Sequence, residues 1–222
     1  MNDEGRTNAR RWPAAIELSL VLLCLTLRAV GAIRNPSLLI LAIGWLSLWK
    51  RRVGWRGVGL RRPASWRRTL VIGIGVGIVY DAADVFAILP VLGPLTGQAV
   101  RVDQLGDLHG NPGGLLLWIA LTWSFGALAE ELAYRGYVLN RIGDLLGRTR
   151  IADAASAVVA SALFGFAHGA QGAAGVLDNV LAGILFSALY VASGRNLWLP
   201  IVVHGVVDTT SVALLFLGVS PR

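Results

Sequence analysis

Apolar residues run along this chain in long blocks separated by short polar breaks. A bilayer hydrocarbon core about 30 Å thick requires around 20 mostly apolar residues per crossing helix. Blocks that meet or approach that length lie near 13–33, 36–49, 69–92, 114–138, 151–168, 172–193 and 197–218. The second and fifth are short, which predicts helices that are tilted, extended at one end or only partly spanning. The first follows Arg10 and Arg11 as a secretory signal would, but six further blocks favour a retained helix. The pattern predicts an all-α fold: a polytopic integral membrane bundle of about seven transmembrane helices enclosing a polar cavity. Residues 1–222 read as one transmembrane domain, with N-terminal spans and a basic loop in 1–113 and core spans in 114–218.

The polar breaks set the expected orientation. Residues 50–68 contain Lys50, Arg51, Arg52, Arg56, Arg61, Arg62, Arg67 and Arg68 and no acid, which assigns that loop to the cytoplasm. The segment with Arg6, Arg10 and Arg11 and the loop with Arg141, Arg148 and Arg150 fall on the same side. The 93–113 loop sets Arg101 against Asp103 and Asp107 and suits the outside. Alternation then puts the N-terminus in the cytoplasm, in a multi-pass protein of the cell membrane whose surroundings are lipids.

Composition agrees. The chain is 55% hydrophobic and 15% charged, with a mean hydropathy of +0.63, whereas soluble domains carry roughly 25% charge. A disordered chain and an ordinary soluble enzyme are both excluded. The single cysteine, Cys24, rules out an intrachain disulfide and a cysteine-based zinc site. Trp55 and Trp66 interleave with arginines as on a nucleic-acid surface, but topology and lipid headgroups account for both residue types. No nucleic-acid partner is expected. Gly73, Gly75 and Gly77 lie inside a span with no phosphate-loop lysine after them, so close helix packing is the expectation.

Ionisable groups inside spans are costly and mark function or paired contacts. Glu17, Arg28, Asp81, Asp84 and Asp178 occur singly or as an i,i+3 pair, and either a polar path or interhelical hydrogen bonding would explain them. Three later sets are more specific. Glu131 and Arg135 are four apart on one helical face with the acid N-terminal, while Glu130 points about 100° away. Adjacent carboxylates in different surroundings can take two roles, base and anchor. Phe164 stands one turn before His168, and His204 and Asp208 share a face at i,i+4. Pro200 can loosen the backbone just before His204.

The ordered set Glu-Glu-x-x-x-Arg, Phe-x-x-x-His and His-x-x-x-Asn/Asp on successive apolar segments resembles the CPBP family of intramembrane proteases. That family includes the type II CAAX prenyl endopeptidases of the Rce1 type. The resemblance spans roughly residues 114–215 and rests on Glu130, Glu131, Arg135, Phe164, His168, His204 and Asp208. It implies a glutamate-dependent peptide hydrolase acting on a peptide or membrane-protein substrate, with no cofactor or metal. Glu130 with His168 would activate a water, and His204 with Asp208 would stabilise the oxyanion. Glu131, Arg135 and Phe164 would support them. An ionised Asp208 cannot donate to an oxyanion, so it would hold His204 in the right tautomer or cationic form and leave the donation to His204.

The expected site opens to the cytoplasm. One conflict follows from the span limits. Glu130 and His204 fall about 10 Å below the cytoplasmic face, but His168 falls about 27 Å along its helix. They meet only if the fifth span is strongly tilted or recessed, or if a boundary differs. Three other functions compete: a zinc protease using His168, His204 and a glutamate, though H-E-x-x-H is absent; a proton-coupled transporter using Asp81, Asp84, Asp178 and Glu130; and a non-catalytic membrane partner, as in bacteriocin immunity. Internal repeats would favour the transporter, and none is evident. The 101–114 loop with His109 is read as a connector.

Overall fold

The computed structural model describes residues 3–106 and 108–219, and these form a helical bundle with no strand among them. Asp107 and the side chains of Arg6 and Arg10 lie outside the described residues. The helices are α1 (Asp3–Ala29), α2 (Pro36–Lys50), the single turn α3 (Gly54–Gly57), α4 (Trp66–Thr96), α5 (Pro112–Leu146), α6 (Arg150–Ala167), α7 (Gly172–Ala192) and α8 (Trp198–Phe216). Six of them, α1 and α4 to α8, are long and apolar enough to cross a membrane. The expected seventh span, α2, has 15 residues, about 22 Å of rise against a hydrocarbon core of about 30 Å.

Helix starts are written in the local sequence. Asn35 and Asn111 each precede a proline, and their side chains accept from Ser37 N at 2.9 Å and Gly114 N at 2.9 Å. Thr149 and Ser65 cap α6 and α4 in the same way. Proline at the first helical position gives up only an N–H that would be unpaired. Two helices carry π-helical stretches, Asp84–Ile88 in α4 and Thr122–Val138 in α5. Pro90 follows the first, and its missing N–H removes the normal partner of the Phe86 carbonyl. In the second, the Leu139 N–H donates to Tyr134 O, five residues back.

Small residues set the packing. Ideal Cβ atoms at Gly73 and Gly77 would lie 2.5 and 2.6 Å from Val202 and Val206, so α4 and α8 approach backbone to side chain and run parallel. Asp81 accepts from Ser211 Oγ at 2.6 Å further along the same seam. Gly75 faces open space, so two of the three glycines serve the packing role expected of them. α2 and α5 also run parallel, with Gly44 against Tyr137 and Ser37 against Glu130. α6 and α7 form an antiparallel hairpin joined at Ser161 and Ser187, 3.3 Å apart. The outward faces carry Trp45, Leu46, Ile74, Val79 and Phe86, an apolar belt suited to lipid.

The bundle has two chemically distinct ends. At one, Arg51 pairs with Asp144, Arg61 Nη2 donates to Gly194 O at 3.0 Å, and Arg195 pairs with Asp153 at 2.5 Å. Arg11 lies by Gly147, and Leu197 N donates to Gly59 O at 3.0 Å. The basic loop, the N-terminal helix, the α5–α6 connection and the α7–α8 connection thus gather at this basic end. The opposite end is closed by the 97–111 connection, where Arg101 N donates to Gln171 O, Gly110 N to Phe216 O and Trp118 Nε1 to Leu105 O.

The glycine seam is open to test. Gly77→Leu should overpack α4 against α8, lowering the detergent-solubilised protein's melting temperature by roughly 2–12 °C. Gly75→Leu should leave it unchanged.

Candidate functional site

The seven motif residues converge, and the span boundary explains how. α5 runs on to Leu146 rather than ending near 138. Glu130 therefore lies 16 residues from the basic end of its helix, about 24 Å by helical rise, close to the depth of His168 on α6. His204 reaches the same level because α8 begins inside the protein, with Leu197 fully buried. The depth conflict was one of boundaries.

The π-helical stretch of α5 presents both acids to the bundle interior. Glu130 Oε1 accepts from Ser37 Oγ at 3.0 Å, and its Oε2 is 3.9 Å from His168 Nε2. Ser37 is in the first turn of α2, so the positive end of that helix dipole lies beside Glu130. His168 ends α6. Its Nδ1 is 2.9 Å from the Phe164 carbonyl, which can only accept, so Nδ1 carries a proton, and Nε2 faces Glu130.

Glu131 is fully buried and holds two donors on one oxygen: Arg135 Nη1 at 2.8 Å and His204 Nδ1 at 2.9 Å. Arg135 Nη2 donates to Gly183 O at 3.1 Å, and its guanidinium lies 4.6 Å from the Phe164 ring centre. Phe186 stacks on His204 at 4.6 Å and 19°. The imidazole of His204 is thus fixed on one edge and one face, and its Nε2 points to Asp208 Oδ2 at 3.6 Å. The short contact that orients His204 comes from Glu131, not from Asp208 as the sequence suggested. Asp208 sits beyond hydrogen-bond distance and is the more exposed of the two.

Glu130, His168, Phe186, His204 and Asp208 line a cavity of about 580 Å³ whose wall also includes Asp84, Asp178 and Phe164, while Glu131 and Arg135 lie behind it. Asp81 instead makes an interhelical bond to Ser211. Glu17 is interhelical too, accepting from Ser47 Oγ at 2.7 Å and Tyr137 Oη at 3.0 Å. Among the described residues no group of three or more His, Cys, Asp or Glu side chains is disposed to hold a metal ion. Ser37 and Phe186 were not singled out from sequence, since a serine after Asn-Pro and a phenylalanine in an apolar run carry no signal there.

The lining of the cavity reaches Val100, Val102, Leu105 and Val219, at the end of the bundle opposite the basic one. The 101–114 segment therefore contributes Val102 and Leu105 to the wall as well as connecting two helices.

The architecture is that of a multi-pass helical membrane protein with an acid–imidazole cluster at the floor of a cavity. Residues 112–210 match the family described as type II CAAX prenyl endopeptidase Rce1-like, consistent with the CPBP family. The match takes in α5 to α8 down to the second threonine after Asp208. No curated protein and no solved structure matches the chain.

The buried pair gives a stability test. Arg135→Met leaves the Glu131 charge uncompensated and should cost about 3–5 kcal/mol, read as loss of monodisperse protein in detergent. Adding Glu131→Gln to that variant should restore part of the loss, because the orphaned charge is then gone.

Proposed function

We propose that the chain is an intramembrane glutamate-dependent endopeptidase, with Glu130 and His168 as the water-activating pair. The observation that carries this reading is the 3.9 Å gap between Glu130 Oε2 and His168 Nε2. A carboxylate oxygen and an imidazole lone pair cannot bond to each other without a proton between them. A water in the gap donates to both, and the two acceptors polarise it toward hydroxide.

In the reaction the water oxygen attacks the carbonyl carbon of the scissile bond, and its proton passes to the Glu130–His168 pair. The carbonyl oxygen gains the negative charge. His204 stabilises it through Nε2–H, because Nδ1 already donates to Glu131 and a cationic imidazole has a second proton to offer. The proton held by the pair then goes to the leaving nitrogen as the C–N bond breaks. Glu131 and Arg135 keep His204 oriented from behind, and Phe164 and Phe186 exclude water from that buried pair. The protein's orientation in this reading has the basic end, and with it the N-terminus, in the cytoplasm. The substrate is a peptide or a membrane-protein segment.

The test is proteolysis by the purified protein in proteoliposomes against a fluorogenic peptide library. Glu130→Gln and His168→Ala should each lower turnover by about 10²–10⁴-fold while the melting temperature stays within a few degrees of the parent. Parent-like cleavage in either variant overturns the assignment. His204→Ala should lose about 10²–10³-fold. Asp208→Asn should retain activity, because an amide next to His204 Nε2 can itself donate to the oxyanion.

A further inference from the structure

At the basic end, three arginines and two tryptophans line a pocket: Arg56 of α3, Arg61 and Arg62 of the following loop, Trp66 and Trp198, with Leu60 between them. No acid lines it. Trp66 and Trp198 are the first residues of α4 and α8 and meet edge to face, their ring centres 5.0 Å apart. The two helices run parallel, so the positive ends of both dipoles lie together beside the pocket. Carboxylates stabilise such an end and arginines do not. Neither first turn holds an acid, and that of α4 holds Arg67 and Arg68 as well. Positive charge is concentrated here with nothing in the chain to offset it at the pocket.

The loop that carries these arginines is fixed from behind. Leu197 N donates to Gly59 O at 3.0 Å, Asn196 Nδ2 to Arg61 O at 2.9 Å and Tyr190 Oη to Val58 O at 2.7 Å. Gly59 has a φ of 113°, and a Cβ there would collide with Arg195 O, so the loop seats this closely only with glycine. These bonds engage backbone carbonyls. Of the three guanidinium groups only that of Arg61 is used, through Nη2 to Gly194 O at 3.0 Å. Arg56 and Arg62 are exposed and make no side-chain hydrogen bond or ion pair among the described residues. Each can grip a phosphate through two N–H groups.

An apolar track leads away from the pocket. Trp66, Leu70 and Ile74 recur every four residues on an exposed face of α4, in the belt suited to lipid. A free anion would use the arginines and leave Leu60, the tryptophans and this stripe without a role. We infer that the pocket binds one anionic phospholipid. Its phosphate lies among Arg56, Arg61 and Arg62, its glycerol backbone lies against Trp66 and Trp198, and an acyl chain follows Leu70 and Ile74. Basic pockets between membrane helices recognise such headgroups, and tryptophan rings sit at their level. The bound phosphate offsets the repulsion between the arginines and the two helix ends, and so ties the loop before α4 to the start of α8. The inference is independent of the proposed peptidase activity.

Native mass spectrometry of the purified full chain in detergent tests this, with dioleoylphosphatidylglycerol and dioleoylphosphatidylcholine titrated in parallel. The parent should take up a first phosphatidylglycerol at concentrations where phosphatidylcholine stays unbound. The double variant Arg56→Gln/Arg62→Gln should weaken that first binding by roughly 10–30-fold, as the loss of two arginines beside a headgroup requires. Its melting temperature without lipid should be no lower than the parent's, because the two side chains support nothing else in the fold. Arg34→Gln/Arg101→Gln removes the same charge from exposed positions at the opposite end and should leave lipid binding unchanged. Equal uptake of the two lipids by the parent, equal weakening in both double variants, or parent-like binding in Arg56→Gln/Arg62→Gln overturns the inference. Displacement of the lipid by millimolar inorganic phosphate marks a free-anion site and overturns it too. So does tighter retention of a short single-stranded oligonucleotide than of phosphatidylglycerol, if the same two arginines hold it.

Discussion

The arrangement depends on a single carboxylate. Glu131 is out of reach of water and accepts from a guanidinium on its own helix and an imidazole on another through the same oxygen. A charge in that position is tolerable only if its partners are fixed, because its desolvation cost falls away only when the geometry is met. Satisfying Glu131 therefore registers α5 against α8, and the Arg135 bond to the Gly183 carbonyl registers α7 against both. The site is positioned by an electrostatic requirement as much as by the apolar packing around it.

The same requirement separates the two adjacent acids. Glu131 accepts two bonds through Oε1 and its Oε2 is buried with no partner among the described residues, whereas Glu130 holds one hydroxyl and faces a cavity. Consecutive residues on a regular helix would diverge by about 100°, one inward and one aside. The wider π-helical turn of α5 lets both point inward, toward different partners. The departure from regular helix geometry falls where the two carboxylates stand side by side.

Much of this was legible in the order of residues. Apolar blocks gave the helices, and the glycines of α4 gave a packing seam. The spacing of Glu131 to Arg135 gave a pair that forms as expected, because side chains four apart on one helix meet whatever the tertiary structure. Ser37 and Phe186 were invisible because their importance comes from partners 93 and 18 residues away. The extension of α5 to Leu146 was hidden by Arg141 and Asp144, polar residues that read as loop but pair with each other within the last turns of the helix. That one boundary governed the apparent depth of Glu130.

The shortness of α2 has a consequence for the lipid around it. Its 15 residues fall several ångströms short of the hydrocarbon thickness, and its recessed start, at Asn35 to Ser37, is level with Glu130. Acyl chains next to that helix must shorten or splay to avoid stranding its polar cap, so the leaflet dimples there. The dimple brings headgroups and water down toward a residue otherwise far from either surface. The apolar wall that α2 offers to lipid therefore ends beside that acid rather than at a membrane surface.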